Sequence, residues 1–466
     1  MSEPWEWTLE EAMDALRAGQ IGAIEYAEAL LDRAEAHADL GAYITIDREA
    51  TLAAAGAARG RLAGAGLAIK DNIDTADMPT SGGTPGLAGR QTGDAVVMAR
   101  LRAAGGIPLG KANLHELAFG ITSNNAHFGP ARNPWDKTLI PGGSSGGVAV
   151  AVAAGLAPAG IGTDTGGSCR IPAALCGVVG FRPTTHRWSQ TGIVPISATR
   201  DTAGPLARSV ADCRILDAIC AQKPSLATEP HPAGPKIGVP DDHFFDGLQP
   251  EIAAGMETAL RLLEANGAFL TEVTMPKIAS VDLPDIASIV EGCSFPIVLY
   301  EVLRELSAYL YTSGSRMSVL DLVDQVAGPA EKGILAAQLD PETAMPAQAY
   351  QTAMARHREM LKDGFSQALL GVDALVLPTV PLTARPIGQE ETVELNGQQV
   401  PTFPSYIRNC DPTAIAGLPC LSVPGGLAGG LPFGVEFVGR EGMDGSLIAL
   451  GERFEHLRGP MPRPPL

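Results

Sequence analysis

The chain has 466 residues, of which 45% are hydrophobic and 18% charged, so it carries enough apolar side chains for a large core and is not disordered. Its net charge is −18 with no run of Lys and Arg, which argues against nucleic-acid binding. The seven cysteines include no C-x-x-C pair and predict reduced thiols in a cytoplasmic protein.

The same composition gives no sign of a membrane segment or a metal. The N-terminus lacks the apolar region of a signal peptide, and the apolar tract 147–162 is too short to span a bilayer. Histidines and cysteines are scattered without the spacing of metal ligands. We therefore expect no membrane, no metal and no cofactor.

The first half of the chain alternates helix and strand patterns. Thr8 and Glu11 form a capping box before a first helix, and "EYAEALLDRAEAH" predicts a second. The segments that follow predict, in chain order, a strand at "AYITID" (42–47), a helix at "REATLAAAGAARGRLAG", a strand at "LAIKDNID", a helix at "DAVVMARLRAAG" capped by Asp94, a strand at "IPLGKAN", a helix at "GVAVAVAAG", and strands at "APAGIGTD" and "VVGFRPT". This alternation predicts a layered α/β fold.

The second half is more helical before it returns to the same pattern. Residues from about 280 to 370 have helical periodicity, and we expect them to form a cap-like insertion specific to the substrate. "VELNGQQV" (393–400) predicts a hairpin that turns at Asn396-Gly397. "FGVEFVG" then predicts a strand and "GSLIALGERFEHL" a helix. Because no long linker separates these parts, we expect one domain over residues 1–466.

Three polar segments interrupt the apolar pattern. They are "AIKDNID", in which Lys70 follows a strand of small apolar residues, "PGGSSGGVAVAVAAG" (141–155) and "GTDTGGSCRIPAALCG" (162–177). Each lies where a strand or loop meets a helix, which is where α/β folds commonly place their chemistry.

The second polar segment allows an alternative interpretation. It matches G-x-S-x-G at residues 142–146, which would make Ser144 the nucleophile of an α/β-hydrolase-type esterase. Such an enzyme needs an Asp and a His downstream, and His456, in a helix near the C-terminus, is a poor candidate for the His.

A second interpretation uses all three segments. A serine hydroxyl needs a base, and a lysine can be that base when burial lowers its pKa. Gly166 and Gly167 lack a Cβ, so their backbone can come close to a ligand and offer N–H groups to a developing oxyanion. Ser168 would attack, while Asp164 and Arg170 would brace the loop as an ion pair.

The last two polar segments, read as "GGSSGG" followed by "GTDTGGSCRIPAALCGVVGFRPT", resemble the amidase signature family. The resemblance extends from "AIKDNID" to "LPFGVEFVG" and implies a single α/β/α domain around a large mixed sheet. It also implies a triad in which Ser168 is the nucleophile, Ser144 is a serine after a cis peptide bond and Lys70 is the base. The oxyanion-hole amides that it implies are those of Thr165, Gly166, Gly167 and Ser168. The supporting residues that it implies are Ser145, Asp164 and Arg170.

Other segments narrow the resemblance. "HELAFGITSNN" (115–125), "NPWDKTLIPGGSSGGVA" (133–149), "RPIGQEETVELNGQQVPTF" (385–403) and "IRNCDPTAIAGLPCLSVP" (407–424) are similar to hydrolases of indoleacetamide and mandelamide. This similarity implies a small primary amide of an arylacetic acid as the substrate. The amidase subunit of a tRNA-dependent amidotransferase is kept as an alternative, and a homodimer is one arrangement consistent with the resemblance.

The sequence also offers candidates for the walls of an apolar acyl pocket. Leu117, Phe119 and Ile121 lie in one segment that could line it, and Trp188 and Phe403 are further candidates. Cys169 departs from the aliphatic residue that is commoner beside the nucleophile in the family.

Overall fold

The computed structural model describes residues 3–221, 234–240, 243–275 and 285–466. Its strands are β1 (Tyr43–Thr45), β2 (Gly66–Lys70), β3 (Ile107–Ala112), β4 (Asn124–Asn125), β5 (Gly129–Pro130), β6 (Ala159–Asp164), β7 (Val179–Arg182), β8 (Thr202–Ala207), β9 (Lys236–Pro240), β10 (Phe269–Val273), β11 (Ala374–Pro378), β12 (Thr392–Leu395), β13 (Gln398–Pro401), β14 (Cys420–Ala428) and β15 (Leu431–Val438).

Helices connect these strands. They are α1 (Leu9–Arg17), α2 (Ala23–Ala36), α3 (Arg48–Ala57), α4 (Val96–Ala103), α5 (Gly146–Ala153), α6 (Arg170–Cys176), α7 (Val210–Cys220), α8 (Pro250–Ala265), α9 (Ile286–Glu291), α10 (Ser294–Thr312), α11 (Val319–Asp324), α12 (Pro329–Ala337), α13 (Ala347–Thr352), α14 (Arg358–Ala368), α15 (Thr402–Ile407), α16 (Asp411–Ala416) and α17 (Asp444–Arg458). Short 3-10 turns also form at Pro4–Glu6, Ala38–Leu40, Pro85–Leu87 and Glu116–Ala118, and a π-helical turn at Ala353–His357 joins α13 to α14.

Within the described residues, eleven strands form one mixed sheet in the order β1-β3-β2-β6-β8-β7-β14-β15-β11-β9-β10. Strands β3, β2 and β6 run parallel to one another, as do β11, β9 and β10. Between these two parallel groups lie β8, β7, β14 and β15, which pair antiparallel with one another and with the flanking strands β6 and β11. This mixed sheet confirms the predicted α/β class.

The central strands of the sheet are buried on both faces, to which their successive side chains alternate. On one face Leu67 and Ile69 of β2 join Val435 and Phe437 of β15 in a core with helices α4, α7, α8 and α17. On the other face Ala68 packs with α2, α5 and α6, while alternate residues of β11 pack with α9, α14 and α16. Helices therefore cover both faces, and the predicted α/β/α layering is confirmed.

Local signals in the sequence were mostly confirmed. The Thr8 side chain accepts a hydrogen bond from the Glu11 amide, and the Glu11 carboxylate accepts one from the Thr8 amide, as the capping box predicts. The hairpin of β12 and β13 turns at Asn396 and Gly397, both with positive φ.

The predicted cap at Asp94 is wrong. Helix α4 begins one residue later than predicted, with Ala95 at its N-cap and no side-chain cap there. Asp94 instead accepts hydrogen bonds from the Ala76 amide and the Arg102 guanidinium, so its carboxylate joins a neighbouring loop to the helix end.

The chain between Ile286 and Ala368 contains α9 to α14, which agrees with the predicted helical stretch, although residues 280–284 of that prediction lie outside the described residues. Ile286–Thr312 is long and apolar enough, by length and composition alone, to cross a membrane. The core helix of a soluble protein passes the same test, and here α10 packs through Val302, Leu306 and Leu310 against α11 and α12.

Helix α5 packs unusually close to the sheet, because its first residues are glycines. A Cβ added at Gly147 would lie 2.5 Å from both the Ala42 carbonyl oxygen and the Asn113 backbone nitrogen. These are backbone atoms next to the ends of two strands, so they cannot turn aside as a flexible side chain could. Glycine at this position therefore fixes the distance between α5 and the end of β3.

We predict that Gly147→Ala destabilises the protein by about 1–3 kcal/mol, because the added methyl group overpacks a rigid contact. The matched control is Gly333→Ala in helix α12, where an added Cβ meets nothing within 4 Å. That variant should be neutral or more stable by about 0.5–1 kcal/mol from helix propensity. Denaturant unfolding of both variants tests the prediction, which is wrong if Gly147→Ala unfolds at the same midpoint as the control.

Candidate active site

The three polar segments meet at one edge of the sheet. Lys70 ends β2, Ser144 and Ser145 precede α5, and Ser168 lies between β6 and α6. Strands β2 and β6 are parallel neighbours, so the segments that leave their carboxyl ends come together. The fold thus brings together residues that are far apart in the sequence.

The Lys70 amino group is buried between two hydroxyl groups. Its Nζ lies 2.7 Å from Ser144 Oγ and 2.7 Å from Thr163 Oγ1. Burial disfavours the ammonium form and lowers the pKa of Lys70 to about 7, against a smaller opposing effect of nearby acidic groups that include Asp164 and Asp201. A large fraction of Lys70 is therefore neutral near pH 7 and can accept a proton.

The two serines differ in their access to solvent. Ser144 follows a cis peptide bond, is fully buried, and contacts Lys70. Ser168 is 7% exposed, and it lines a cavity of about 650 Å³ to which Ser144 does not contribute. A molecule in the cavity can therefore reach Ser168, whereas Ser144 lies behind it next to the amine.

The loop that carries Ser168 has free backbone donors. No hydrogen bond to any described residue is made by the amides of Thr165, Gly166, Gly167 and Ser168. Gly167 has a φ of 143°, a conformation that favours glycine, and a Cβ at Gly166 would lie 2.8 Å from Asp411 Oδ1. The glycines thus allow a backbone whose N–H groups remain available to a ligand.

Neighbouring residues hold this loop in place. The Thr165 hydroxyl donates to Asp201 at 2.6 Å, and Arg200 Nε donates to the Thr165 carbonyl at 3.2 Å. From the other side, the Ser145 amide donates to the Ser168 carbonyl at 3.3 Å, and Ser145 Oγ donates to the Thr163 carbonyl at 3.1 Å. The Ser145 backbone therefore links the loop of Ser168 to the start of α5.

A buried charge cluster supports the same loop. Arg170 pairs with Asp164 at 3.0 Å and with Glu436 at 2.7 Å, and Arg182 pairs with Asp164 at 2.9 Å, all fully buried. Burial alone would raise the pKa of Asp164, but the guanidinium groups of Arg170 and Arg182 hold it well below its ordinary value. Asp164 also accepts a hydrogen bond from the Cys169 amide, so the predicted ion pair exists and braces the residue after Ser168.

The cavity above Ser168 has mostly apolar walls. The residues that line it are His115, Ala118, Phe119, Gly120, Ile121, Thr122, Asn124, Ala126, Thr165, Gly166, Ser168, Ile196, Arg200, Ser294, Phe295, Val298, Gly328, Pro329, Ala330, Glu331, Ile334, Glu390, Glu391, Thr402, Phe403, Pro404, Ile407 and Asp411. Its volume lies within the usual range for small-molecule sites. The predicted lining residues Phe119, Ile121 and Phe403 are among them.

Two predicted lining residues lie elsewhere. Leu117 is buried in the core that α10, α11 and α12 form, although its neighbour Ala118 lines the cavity. Trp188 is buried in the main core and donates its indole N–H to Asp217 at 2.9 Å. Cys169 is also buried, with its Sγ 3.6 Å from the Gly204 carbonyl oxygen, so its thiol points away from the cavity.

Sequence reasoning missed several polar residues of the site. Thr163, which contacts Lys70, lies near the end of β6 and within the third polar segment, where nothing singled it out. Arg200 and Asp411 form a buried ion pair beside Gly166, although they are 211 positions apart in the sequence. The charged pair Arg200-Asp201 directly before a buried strand was a signal that could have been used.

The site has a buried amine of lowered pKa behind one serine, and a second serine that faces an apolar cavity beside free amides. This is the arrangement of a serine hydrolase whose base is lysine. The chain matches the Amidase family over residues 25–448, and it belongs to that family. It is an amidohydrolase, and among the described residues no group of three or more His, Cys, Asp or Glu could hold a metal ion.

Curated relatives and solved structures agree with this family. An indoleacetamide hydrolase of Agrobacterium vitis is 40% identical over 458 residues, with 96% of each chain covered. A mandelamide hydrolase of Pseudomonas putida is 36% identical over 488 residues, covering 99% of this chain and 93% of its own. A crystal structure of an amidase has a TM-score of 0.85 at 36% identity, with 97% of this chain and all of that chain covered.

We predict that Arg170→Met destabilises the protein by about 3–5 kcal/mol, because it leaves the carboxylates of Asp164 and Glu436 buried without their shared partner. Arg261→Met, which removes an exposed pair with Glu257 in α8, should cost less than about 1 kcal/mol. The denaturant midpoints of the two variants give the comparison. Equal midpoints would show that the buried cluster does not stabilise the fold.

Proposed function

We propose that the protein hydrolyses a small primary amide of an arylacetic acid to the carboxylate and ammonia. The observation that carries the proposal is the buried Lys70 amine, with a pKa of about 7, 2.7 Å from Ser144 and beside a cavity open to Ser168. Such an amine is a general base at neutral pH without a histidine or a metal.

In the proposed reaction, neutral Lys70 takes the proton of Ser144 while Ser144 takes the proton of Ser168. Ser168 Oγ attacks the amide carbonyl, and the free amides between Thr165 and Ser168 stabilise the oxyanion. The proton returns through Ser144 to the amide nitrogen, the C–N bond breaks and ammonia leaves. Water, activated by the same two residues, then attacks the acyl-enzyme ester and releases the carboxylate.

The acyl group is inferred from the cavity walls and the relatives. Phe119, Phe295 and Phe403 offer aromatic surface, and Phe295 lies with Phe403 at a ring-centroid distance of 6.1 Å. Relatives named indoleacetamide hydrolase and mandelamide hydrolase act on arylacetic amides, as those names say. Helices α10 and α12 contribute part of the wall, which supports the proposed role of residues 280–370 as a cap.

The amidotransferase alternative has weaker support. One subunit of the glutamyl-tRNA(Gln) amidotransferase of Roseiflexus sp. is 34% identical over 492 residues, below the identity of the indoleacetamide hydrolase. The esterase alternative needs an exposed Ser144, but this residue is buried and its hydroxyl contacts a lysine.

We further propose a cytoplasmic enzyme that acts without a partner protein, as a monomer or a homodimer. All seven cysteines are free thiols and buried, which is compatible with a reducing compartment. Light scattering of the purified chain would determine the oligomeric state.

We predict that Ser168→Ala lowers kcat/KM by roughly 10⁴-fold or more, because it removes the atom that becomes acylated. Lys70→Ala should be similarly severe and Ser144→Ala somewhat less so. The double variants should lose little more than the worse single one, since the three residues act as a unit. Near-normal turnover by Ser168→Ala together with an inactive Ser144→Ala would favour the esterase interpretation.

The pKa of Lys70 predicts how activity depends on pH. Below about pH 7 the amine is protonated and cannot accept a proton, so kcat/KM should fall about tenfold per pH unit. Above pH 7 the amine is neutral and kcat/KM should level off. Phenylacetamide is a suitable substrate because it does not ionise in this range, and a flat profile between about pH 5 and 8 would contradict Lys70 as the base.

We predict that phenylacetamide and indole-3-acetamide have higher kcat/KM values than acetamide and glutamine, because only the aryl groups fill the apolar cavity. Ammonia release by the purified chain measures all four substrates. If acetamide or glutamine is clearly better than both aryl amides, the arylacetamide proposal fails. A requirement for a partner chain would instead favour the amidotransferase alternative.

A further inference from the structure

A hydrogen-bonded polar pair lines the cavity beside apolar wall residues. His115 and Glu331 both line the cavity, and His115 Nε2 lies 2.7 Å from Glu331 Oε1. Thr122 Oγ1 lies 3.3 Å from the other ring nitrogen, Nδ1. Since a carboxylate only accepts, Nε2 carries a proton and donates it to Glu331. Both ring nitrogens of His115 thus have a partner.

The pair uses only one of the two Glu331 oxygens, and the carboxylate also takes a hydrogen bond from its own backbone amide. No side chain of the described residues donates to Oε2, which lies against the backbone of Gly328 where any Cβ would clash with it. The Glu331 side chain keeps 13% of its surface exposed, and Gly328 lines the same cavity. The glycine thus leaves room for an acceptor at the cavity wall.

Glu331 is ionised at neutral pH. Burial alone would raise the pKa of this carboxyl group, but the hydrogen bond and charge of His115 lower it to below its ordinary value. The neighbouring wall residues Ala118, Phe119 and Ile334 are apolar. An anionic oxygen in such surroundings is a strong hydrogen-bond acceptor. A ligand that displaces water from this oxygen without donating a hydrogen bond to it binds less favourably.

The pair is also close to the catalytic serines. The His115 backbone amide donates to the carbonyl of Ser144 at 3.2 Å, and the His115 ring packs against Gly120. His115 therefore connects Glu331, through its ring, to the loop of Ser144, through its backbone. A ligand acylating Ser168 in this cavity has Glu331 in the wall around its acyl group.

We propose that Glu331 is a specificity-determining residue that accepts a hydrogen bond from a donor on the acyl group, such as the N–H of a fused heteroaromatic ring. This inference rests on the proposed arylacetamide hydrolysis and names the subset of such amides that the site prefers. His115 is a positioning residue, because it holds the carboxylate through Oε1 and leaves Oε2 for the substrate.

The test compares two amides that differ in one ring atom. Indole-3-acetamide offers the N–H donor, and 1-benzofuran-3-acetamide has an oxygen in its place without added bulk. A hydrogen bond to a charged acceptor predicts that the wild-type kcat/KM ratio favours the indole by about 10- to 100-fold. A ratio near 1 overturns the inference, while hydrolysis of neither amide would instead overturn the proposed function.

The variant Glu331→Gln gives the second measurement. The glutamine carbonyl keeps the His115 hydrogen bond and places an NH₂ donor where Oε2 was, so the ratio should fall to about 1 or below. Because both amides are measured on the same enzyme preparation, a loss of folded protein cancels in the ratio.

The matched control is Glu390→Gln, in another glutamate of the cavity wall, whose Oε1 accepts from Asn124 Nδ2 at 2.6 Å. This variant should keep the wild-type ratio. If Glu390→Gln removes the preference for indole and Glu331→Gln retains it, the donor is recognised by Glu390 and the inference is wrong.

Discussion

The burial of one amino group determines most of the organisation of this site. Lys70 is the last residue of a strand that is covered on both faces, so its amine loses its hydration. Its side-chain hydrogen bonds are those to the hydroxyls of Ser144 and Thr163. An ammonium ion in the same place would need carboxylate partners in direct contact, and none lies within ion-pair distance among the described residues. The low pKa is therefore a property of the sheet and its covering helices.

The charges of the neighbouring loop are kept away from the amine. Asp164 is a buried carboxylate whose charge acts on Lys70, but Arg170 and Arg182 occupy both of its oxygens. The same two guanidiniums reach across to Glu436 on a distant strand and to the Arg200 carbonyl. The cluster thus has two effects, since it braces the nucleophile loop and prevents a carboxylate from fixing the proton on Lys70.

The parts of the site that lie in continuous sequence segments could be predicted from the sequence. The residues whose partners are far away in the sequence could not. The Gly-Ser loops and Lys70 interrupt apolar segments, so their positions can be predicted from the pattern of polar and apolar residues. The alternation of helices and strands then indicates that they share one edge of the sheet. Trp188 was misplaced because an aromatic residue after a strand fits a core as well as a cavity. Glu331 and Asp411 could not be found, since their partners His115 and Arg200 lie 216 and 211 positions away.

The site is assembled from parts of the chain that are under different constraints. The residues proposed to transfer protons all lie between positions 70 and 168, on strands and loops that pack against the buried charge cluster. Much of the far wall of the cavity comes from residues 294–334 and 390–411, on helices and the segments around a hairpin. Substitutions at wall residues of α12 such as Ala330 and Ile334, which make no hydrogen bond to that cluster, can therefore change which acyl group fits without moving the atoms proposed to break the bond. A lineage with this fold can acquire new substrates while its chemistry stays fixed.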